Sequence, residues 1–379
     1  MDRRTALKAW LAMVALLAAG AFGSWVLQST LARAAPLEAA DFSEGMARLE
    51  LLLNALPAIA RHSDAVLVVG SSPTQHGFSP ERYQQALEAR GVRAAAFNLG
   101  IPGGDPQVER ALSERLAREY AGAGTRAKLV LLEVTPYQLT RAYSSDSKNR
   151  ELDDLKLSAL GSPQVLSRLP VGEAAHVVAI EAQGRRSAFV SAALVGTLAV
   201  DRSPAWWPFA REIDPLAERK RLAGVMRAAV HQPEWDPVTH GESRYFTPET
   251  AAVYAQWRAL KTTETTMRAE LGWRVANADI LERRFDPARV EELYATIAAL
   301  ETFADKVQLW VAPTNPRYIT PTAQGLARQK VLFDALAAGG HPVVDLEAEH
   351  GFIAEDFIDT THLEEEIGRP KLSDRLAAF

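Results

Sequence analysis

Apolar residues along this chain follow two distinct spacings. Five short runs are almost continuously aliphatic: 65–69 (AVLVV), 93–99, 128–134 (KLVLLEV), 307–312 (VQLWVA) and 342–346 (PVVDL). Runs of this length bounded by turn residues predict strands buried on both faces. Between them the spacing lengthens to that of a helix. Residues 80–90 form one such stretch, and 105–120 form a second in which Val108, Leu112 and Leu116 share a stripe. A third covers 322–338, and Leu49, Leu52, Leu53 and Leu56 mark an earlier amphipathic helix. Strands alternating with helices predict βαβ units, and hence an α/β protein with a parallel sheet covered on both faces.

Two stretches break this rhythm. From Ala9 to Leu27 the chain is apolar or small throughout except for Ser24. At about 1.5 Å per residue this run reaches roughly 28 Å, the thickness of a bilayer's hydrocarbon core. Arg3, Arg4 and Lys8 precede it, and Trp10 and Trp25 sit near its two ends. Positive charge on that side predicts a cytoplasmic N-terminus and a single-pass anchor in the bacterial inner membrane, with the remainder on the periplasmic side. Cleavage near Ala32-Arg33-Ala34, releasing the chain to the periplasm, is the alternative. The second break runs from about Thr140 to Ala288. It is helical in pattern and includes an apolar run at 187–200 and the Trp206-Trp207 pair. The expected organisation is therefore an anchor at 1–34, a tether and amphipathic helix at 35–64, a first sheet segment at 65–139, a helical insertion or cap at 140–288, and a second sheet segment at 289–379.

Composition removes several classes of function. Of 379 residues, 42 are Lys or Arg and 47 Asp or Glu, a net charge of −5 with no basic block, so no nucleic-acid partner is expected. With no cysteine there is no disulfide, thiolate metal site or thiol nucleophile. The histidines show no metal-ligand spacing, and neither a metal nor a cofactor is expected.

The residues able to carry chemistry lie where strands end, which is where open α/β sheets bind ligands. The first strand runs into Gly70-Ser71-Ser72-Pro73, placing a serine at the start of a helix whose N-terminus favours developing negative charge. Capping that helix is the other role open to Ser71 or Ser72. The second strand runs into Gly100-Ile101-Pro102-Gly103-Gly104, a turn whose amides can face an oxyanion. Near the C-terminus, Asp359-Thr360-Thr361-His362 puts a carboxylate within reach of an imidazole. Capping of a helix towards Ala378 is the competing role for Asp359, Thr360 or Thr361. His76 lies four residues after Ser72; its ring is expected to turn away from the strand end, which ranks it below His362.

Taken in order, these blocks resemble the SGNH/GDSL hydrolase family. Gly70-Ser71-Ser72 is similar to its first block, with Ser72 at the nucleophile; Ile101-Pro102-Gly103 is similar to its second; Asp359-Thr360-Thr361-His362 matches its terminal Asp-x-x-His. The resemblance covers about 65–134 and 307–379 and implies a three-layer α/β/α fold with a flavodoxin-like sheet. It also implies a Ser72-His362-Asp359 triad and an oxyanion hole from the Ser72 and Gly103 amides. Two departures stand out. Ser71 replaces the usual Asp, and the third block's oxyanion Asn is missing from Leu132-Glu133-Val134-Thr135-Pro136-Tyr137. Thr135 and Asn315 are the candidate substitutes.

Both departures look like the membrane-anchored branch of that family, which includes D-alanine transfer proteins and partners of membrane-bound O-acyltransferases. The resemblance thus implies an esterase or O-acyltransferase acting on acyl groups of an envelope or exported polysaccharide, with an integral-membrane O-acyltransferase as a possible partner. The alternative is a non-catalytic, membrane-tethered assembly subunit that docks through 187–200 and Trp206-Trp207.

Overall fold

The computed structural model describes residues 55–145, 261–349 and 351–379, with a few isolated residues besides. The expected anchor, most of the tether, and the 187–200 and Trp206-Trp207 segments fall outside the described residues. No helix among the described residues is long and apolar enough to cross a membrane.

Five parallel strands are built from the five aliphatic runs: β1 Ala65–Gly70, β2 Ala95–Gly100, β3 Leu129–Glu133, β4 Val307–Val311 and β5 Val343–Asp345. Their order across the sheet is β2-β1-β3-β4-β5. Between β1 and β2 lie two helices, α1 (Ser72–Gly77) and α2 (Pro80–Glu88). α3 (Pro106–Ala123) leads from β2 to β3. After β3 come α4 (Arg141–Ser145), α5 (Glu264–Ala278) and α6 (Pro287–Glu301). α7 (Ala323–Ala338) joins β4 to β5, and α8 (Gly368–Leu376) closes the chain.

Strand alternation divides the core. Val66 and Val68 of β1, Leu131 of β3 and Trp310 of β4 pack with Tyr83 and Leu87 of α2 and Leu372 and Leu376 of α8. The alternate residues Leu67, Val69, Val130, Leu132 and Leu309 are equally buried, because successive side chains in a strand point to opposite faces. α3 and α6 pack on each other, and Val108, Leu112 and Leu116 of the first and Leu293, Ile297 and Leu300 of the second are all buried. Asp105 ties this pair together: it caps α3 by accepting from the amides of Gln107 and Val108 at 3.0 Å, and it forms a buried ion pair with Arg289 of α6.

In this order β1 connects to β2 on one side and β2 back to β3 on the other. The chain therefore reverses direction across the sheet between β1 and β3, and a crevice opens beyond the carboxyl ends of those two strands. The loops after β1, β2 and β3 all reach that end. α1 sits there against the end of β2, where Gly100 makes the approach possible: a Cβ at this position would lie 2.4 Å from the Gln75 amide nitrogen and 2.9 Å from the Ser71 carbonyl oxygen. Neither backbone atom can give way without moving the helix. Gly100→Ala should cost on the order of 1–3 kcal/mol by overpacking, read as a lowered urea midpoint with an unchanged slope. An unchanged midpoint would show that α1 is not seated as described.

Candidate active site

α1 is too short to hold itself, and buried side chains from the sheet clamp it at both ends. At its N-terminus, Glu133, the last residue of β3, is fully buried and accepts from five donors. Its Oε2 receives the Ser71 amide at 3.2 Å, the Thr74 amide at 2.9 Å and the Thr74 hydroxyl at 2.5 Å. Its Oε1 receives the Ser71 hydroxyl at 3.0 Å and the Thr135 hydroxyl. At the C-terminal end, Asn98 of β2 donates its side-chain amide to the carbonyls of Thr74 (3.2 Å), Gln75 (3.1 Å) and Phe78 (2.8 Å). Ser71 is thus the N-terminal flank of α1 with its hydroxyl committed to Glu133, and Ser72 begins the helix, half-buried, with Pro73 following.

The C-terminal block is equally constrained, but it is not a helix cap. Residues 357–363 form a tight loop closed by pairing of Phe357 with Leu363, and α8 begins only at Gly368. Asp359 Oδ1 accepts from the backbone amides of Thr361 (2.9 Å) and His362 (2.8 Å), while Oδ2 meets His362 Nδ1 at 2.7 Å. Asn315 anchors the loop from behind: its amide nitrogen donates to the Thr360 carbonyl (3.0 Å) and its side chain to the Asp359 carbonyl (3.3 Å). Arg274 of α5 donates to the Thr360 hydroxyl at 2.8 Å.

With Nδ1 held by Asp359, His362 presents Nε2, which is buried and has no hydrogen-bond partner among the described residues. The His362 ring stands edge-on to His76, with centroids 5.1 Å apart. His76 follows Ser72 by four residues on α1, and i,i+4 side chains share a helix face. The imidazole therefore lies beside His76, one helical turn along α1 from Ser72. His76, ranked below His362 from the sequence, packs its ring on that of His362.

The electrostatics favour an ionised Asp359. Burial alone would raise its carboxyl, but the neighbouring His362 imidazole, the Lys261 ammonium (3.0 Å) and Arg274 hold it well below the usual carboxylate range. Glu270 of α5 also comes close, so that one ligand-type atom each of Glu270, Asp359 and His362 lie within 4.8 Å of one another. Arg274 pairs with Glu270 at 2.8 Å and Lys261 with Asp359, so the carboxylate charges are met by side chains of this chain.

Several sequence expectations need adjusting. Thr135 and Asn315 were candidate oxyanion donors; the Thr135 hydroxyl donates to Glu133 and the Asn315 side chain to the Asp359 loop. Gly103 stands at φ +60 in the turn closed by the Gly104 amide and the Ile101 carbonyl, a backbone that favours glycine. Residues 261–288, expected within the helical insertion, supply Lys261, Glu270 and Arg274 to the site. Those three and Glu133 were missed. The one available signal was Glu133 itself, a lone acid closing an otherwise aliphatic strand. No protein-family model matches the chain, and no curated protein matches it.

A second buried acid bears on Glu133. Glu109 of α3 is pushed well above its usual range by burial and then by the Glu133 charge. A carboxyl with a raised folded pKa costs stability as pH climbs past its unfolded value, here 4.5, until the folded pKa is passed. Glu109→Gln removes that cost, so the gain in Tm over the native chain should be small near pH 4.5 and grow towards pH 7.5. A difference that stays flat or reverses across paired thermal melts would contradict a protonated Glu109.

Proposed function

We propose that this chain is an SGNH-type serine acyl-transfer enzyme, with a flavodoxin-like sheet, a helical insertion and an N-terminal membrane anchor at 9–27 that holds it on the periplasmic side of the inner membrane. The reading rests chiefly on one observation. An imidazole bound to a carboxylate keeps an unpartnered Nε2, and its ring packs on His76, four residues after Ser72 on α1.

In this mechanism His362 Nε2 takes the Ser72 proton as Oγ attacks an acyl carbonyl. Asp359 fixes the ring tautomer and stabilises the imidazolium. The tetrahedral oxyanion is held by the amides of Ser72 and Gly103, the former being a helix N-terminal N–H with no intrahelical acceptor. Collapse of the intermediate expels the alcohol with the proton from His362 and leaves an acyl-Ser72. Water or a polysaccharide hydroxyl, deprotonated by the same His362, then attacks the acyl-enzyme and frees Ser72. An anchor places this second step beside envelope polymers and an integral-membrane acyl donor, which favours transfer. With the Thr135 and Asn315 side chains committed elsewhere, two backbone amides make up the hole, so activated acyl donors should be strongly preferred.

The test uses the full-length chain in detergent with p-nitrophenyl acetate, with and without an acceptor glycan. Ser72→Ala and His362→Ala should each lower kcat/KM by at least about 10³-fold, and the glycan should divert acetate into an O-acetyl product. Wild-type turnover in Ser72→Ala would overturn the mechanism. Absence of turnover in the native chain, with polymer acylation in cells unaffected by Ser72→Ala, would favour a non-catalytic assembly subunit.

A further inference from the structure

The acyl mechanism leaves one group on the Asp359 carboxylate without a task, the Lys261 ammonium. Oδ1 of Asp359 accepts from two backbone amides. Oδ2 accepts from Lys261 Nζ at 3.0 Å and meets His362 Nδ1 at 2.7 Å. A single carboxylate oxygen thus holds an ammonium and an imidazole side by side. The aspartate side chain is 1% exposed and that of the lysine 23%, so charges here are screened less than in bulk water.

A buried carboxylate calls for an opposite charge. Lys261 can supply it, and so can His362 once protonated. Were the imidazole to supply it, both ring nitrogens would carry protons at rest, and Nε2 could not accept from a hydroxyl. With the ammonium in place, the charge is met without that proton. An imidazolium would also lie close to the ammonium, because both nitrogens touch one oxygen, and like charges at that range disfavour each other. The remaining titratable neighbours do not take over this task. Arg274 of α5 donates to the Thr360 hydroxyl and pairs with Glu270 at 2.8 Å. The Tyr137 phenol is pushed up to about 12 by burial and stays neutral. His76 of α1 meets the His362 ring edge-on. Glu364, two residues beyond His362, pairs with Arg258 at 3.1 Å.

We propose that Lys261 is a positioning residue, the resting counter-ion of Asp359, whose ammonium lets the carboxylate stay charged while His362 stays neutral with Nε2 ready to accept the Ser72 proton. This rests on the acyl-transfer reading, but its test reads the imidazole directly as well as turnover. The full-length chain in detergent, carrying isotopically labelled histidine, is titrated by NMR, and kcat/KM for p-nitrophenyl acetate is measured over the same pH range. The His362 signal is the one missing from His362→Gln. Lys261→Met should move the His362 midpoint about one pH unit higher. The acid limb of kcat/KM should move with it, a loss of about tenfold below the midpoint, while the alkaline plateau is kept. Lys261→Arg, which retains a cation, should restore both curves. Should the methionine variant misfold, as thermal melts would show, Lys261→Gln replaces it. An unmoved midpoint in the neutral variant would overturn the proposal, and so would a lowered plateau with an unmoved acid limb, the mark of a merely structural lysine. A shifted midpoint, with no turnover by the native chain, would sustain the counter-ion and sink the acyl chemistry. Turnover that is lost in Ser72→Ala, with an unmoved midpoint in Lys261→Met, would do the reverse.

Discussion

One buried carboxylate governs where the first turn after the sheet can go. Glu133 ends β3, the strand beside β1, and draws in both amides and both hydroxyls of Ser71 and Thr74. A six-residue helix gains little from its own hydrogen bonds, since nucleation takes up most of that gain. Its position is therefore decided by what grips its ends, and Glu133 and Asn98 do so from the two strands that flank β1. Gly70 completes the clasp: a Cβ there would stand 2.5 Å from Glu133 Oε2 and 2.3 Å from the Thr74 hydroxyl oxygen. That clasp fixes the start of α1, where Ser72 stands.

The opposite wall follows a different logic. Asp359 is held by two backbone amides, an imidazole and the Lys261 ammonium, while Arg274 reaches the neighbouring Thr360. The His362 imidazole, the Lys261 ammonium and Arg274 keep the carboxylate charged, and a charged carboxylate favours a proton on the Nδ1 that faces it. Lys261 meets Asp359 and Arg274 meets Thr360 and Glu270, so both hold the loop that carries His362. They join α5 and the residue just before it to the 357–363 loop.

The sheet was legible because burial on both faces writes itself as unbroken aliphatic runs. The strands fell within a residue or two of the runs at 65–69, 128–134 and 307–312, and the helices at 80–90, 105–120 and 322–338 followed from spacing and from the Pro, Asp and Thr at their starts. The Ser72 turn and the Asp359-His362 pair were legible because short local motifs carry them. Glu133 was not, because a single acid has no periodicity, and all its donors but Thr135 lie 59 or 62 residues away. Lys261 and Arg274 were hidden for the same reason, 98 and 86 residues from what they bind. Thr135 and Asn315 drew attention as spare polar groups near strand ends. The structure spends both on holding backbone and carboxylate in place, which spacing along a chain cannot reveal.

The most direct test of a serine-imidazole pair at this crevice is a crystal structure of the full-length chain after reaction with a fluorophosphonate. An adduct on Ser72 Oγ, with a phosphoryl oxygen facing the Ser72 and Gly103 amides and His362 Nε2 within about 3.2 Å of the adduct, is the expected outcome. An adduct on a different residue, or a His362 ring that remains out of reach of a modified Ser72, would contradict it.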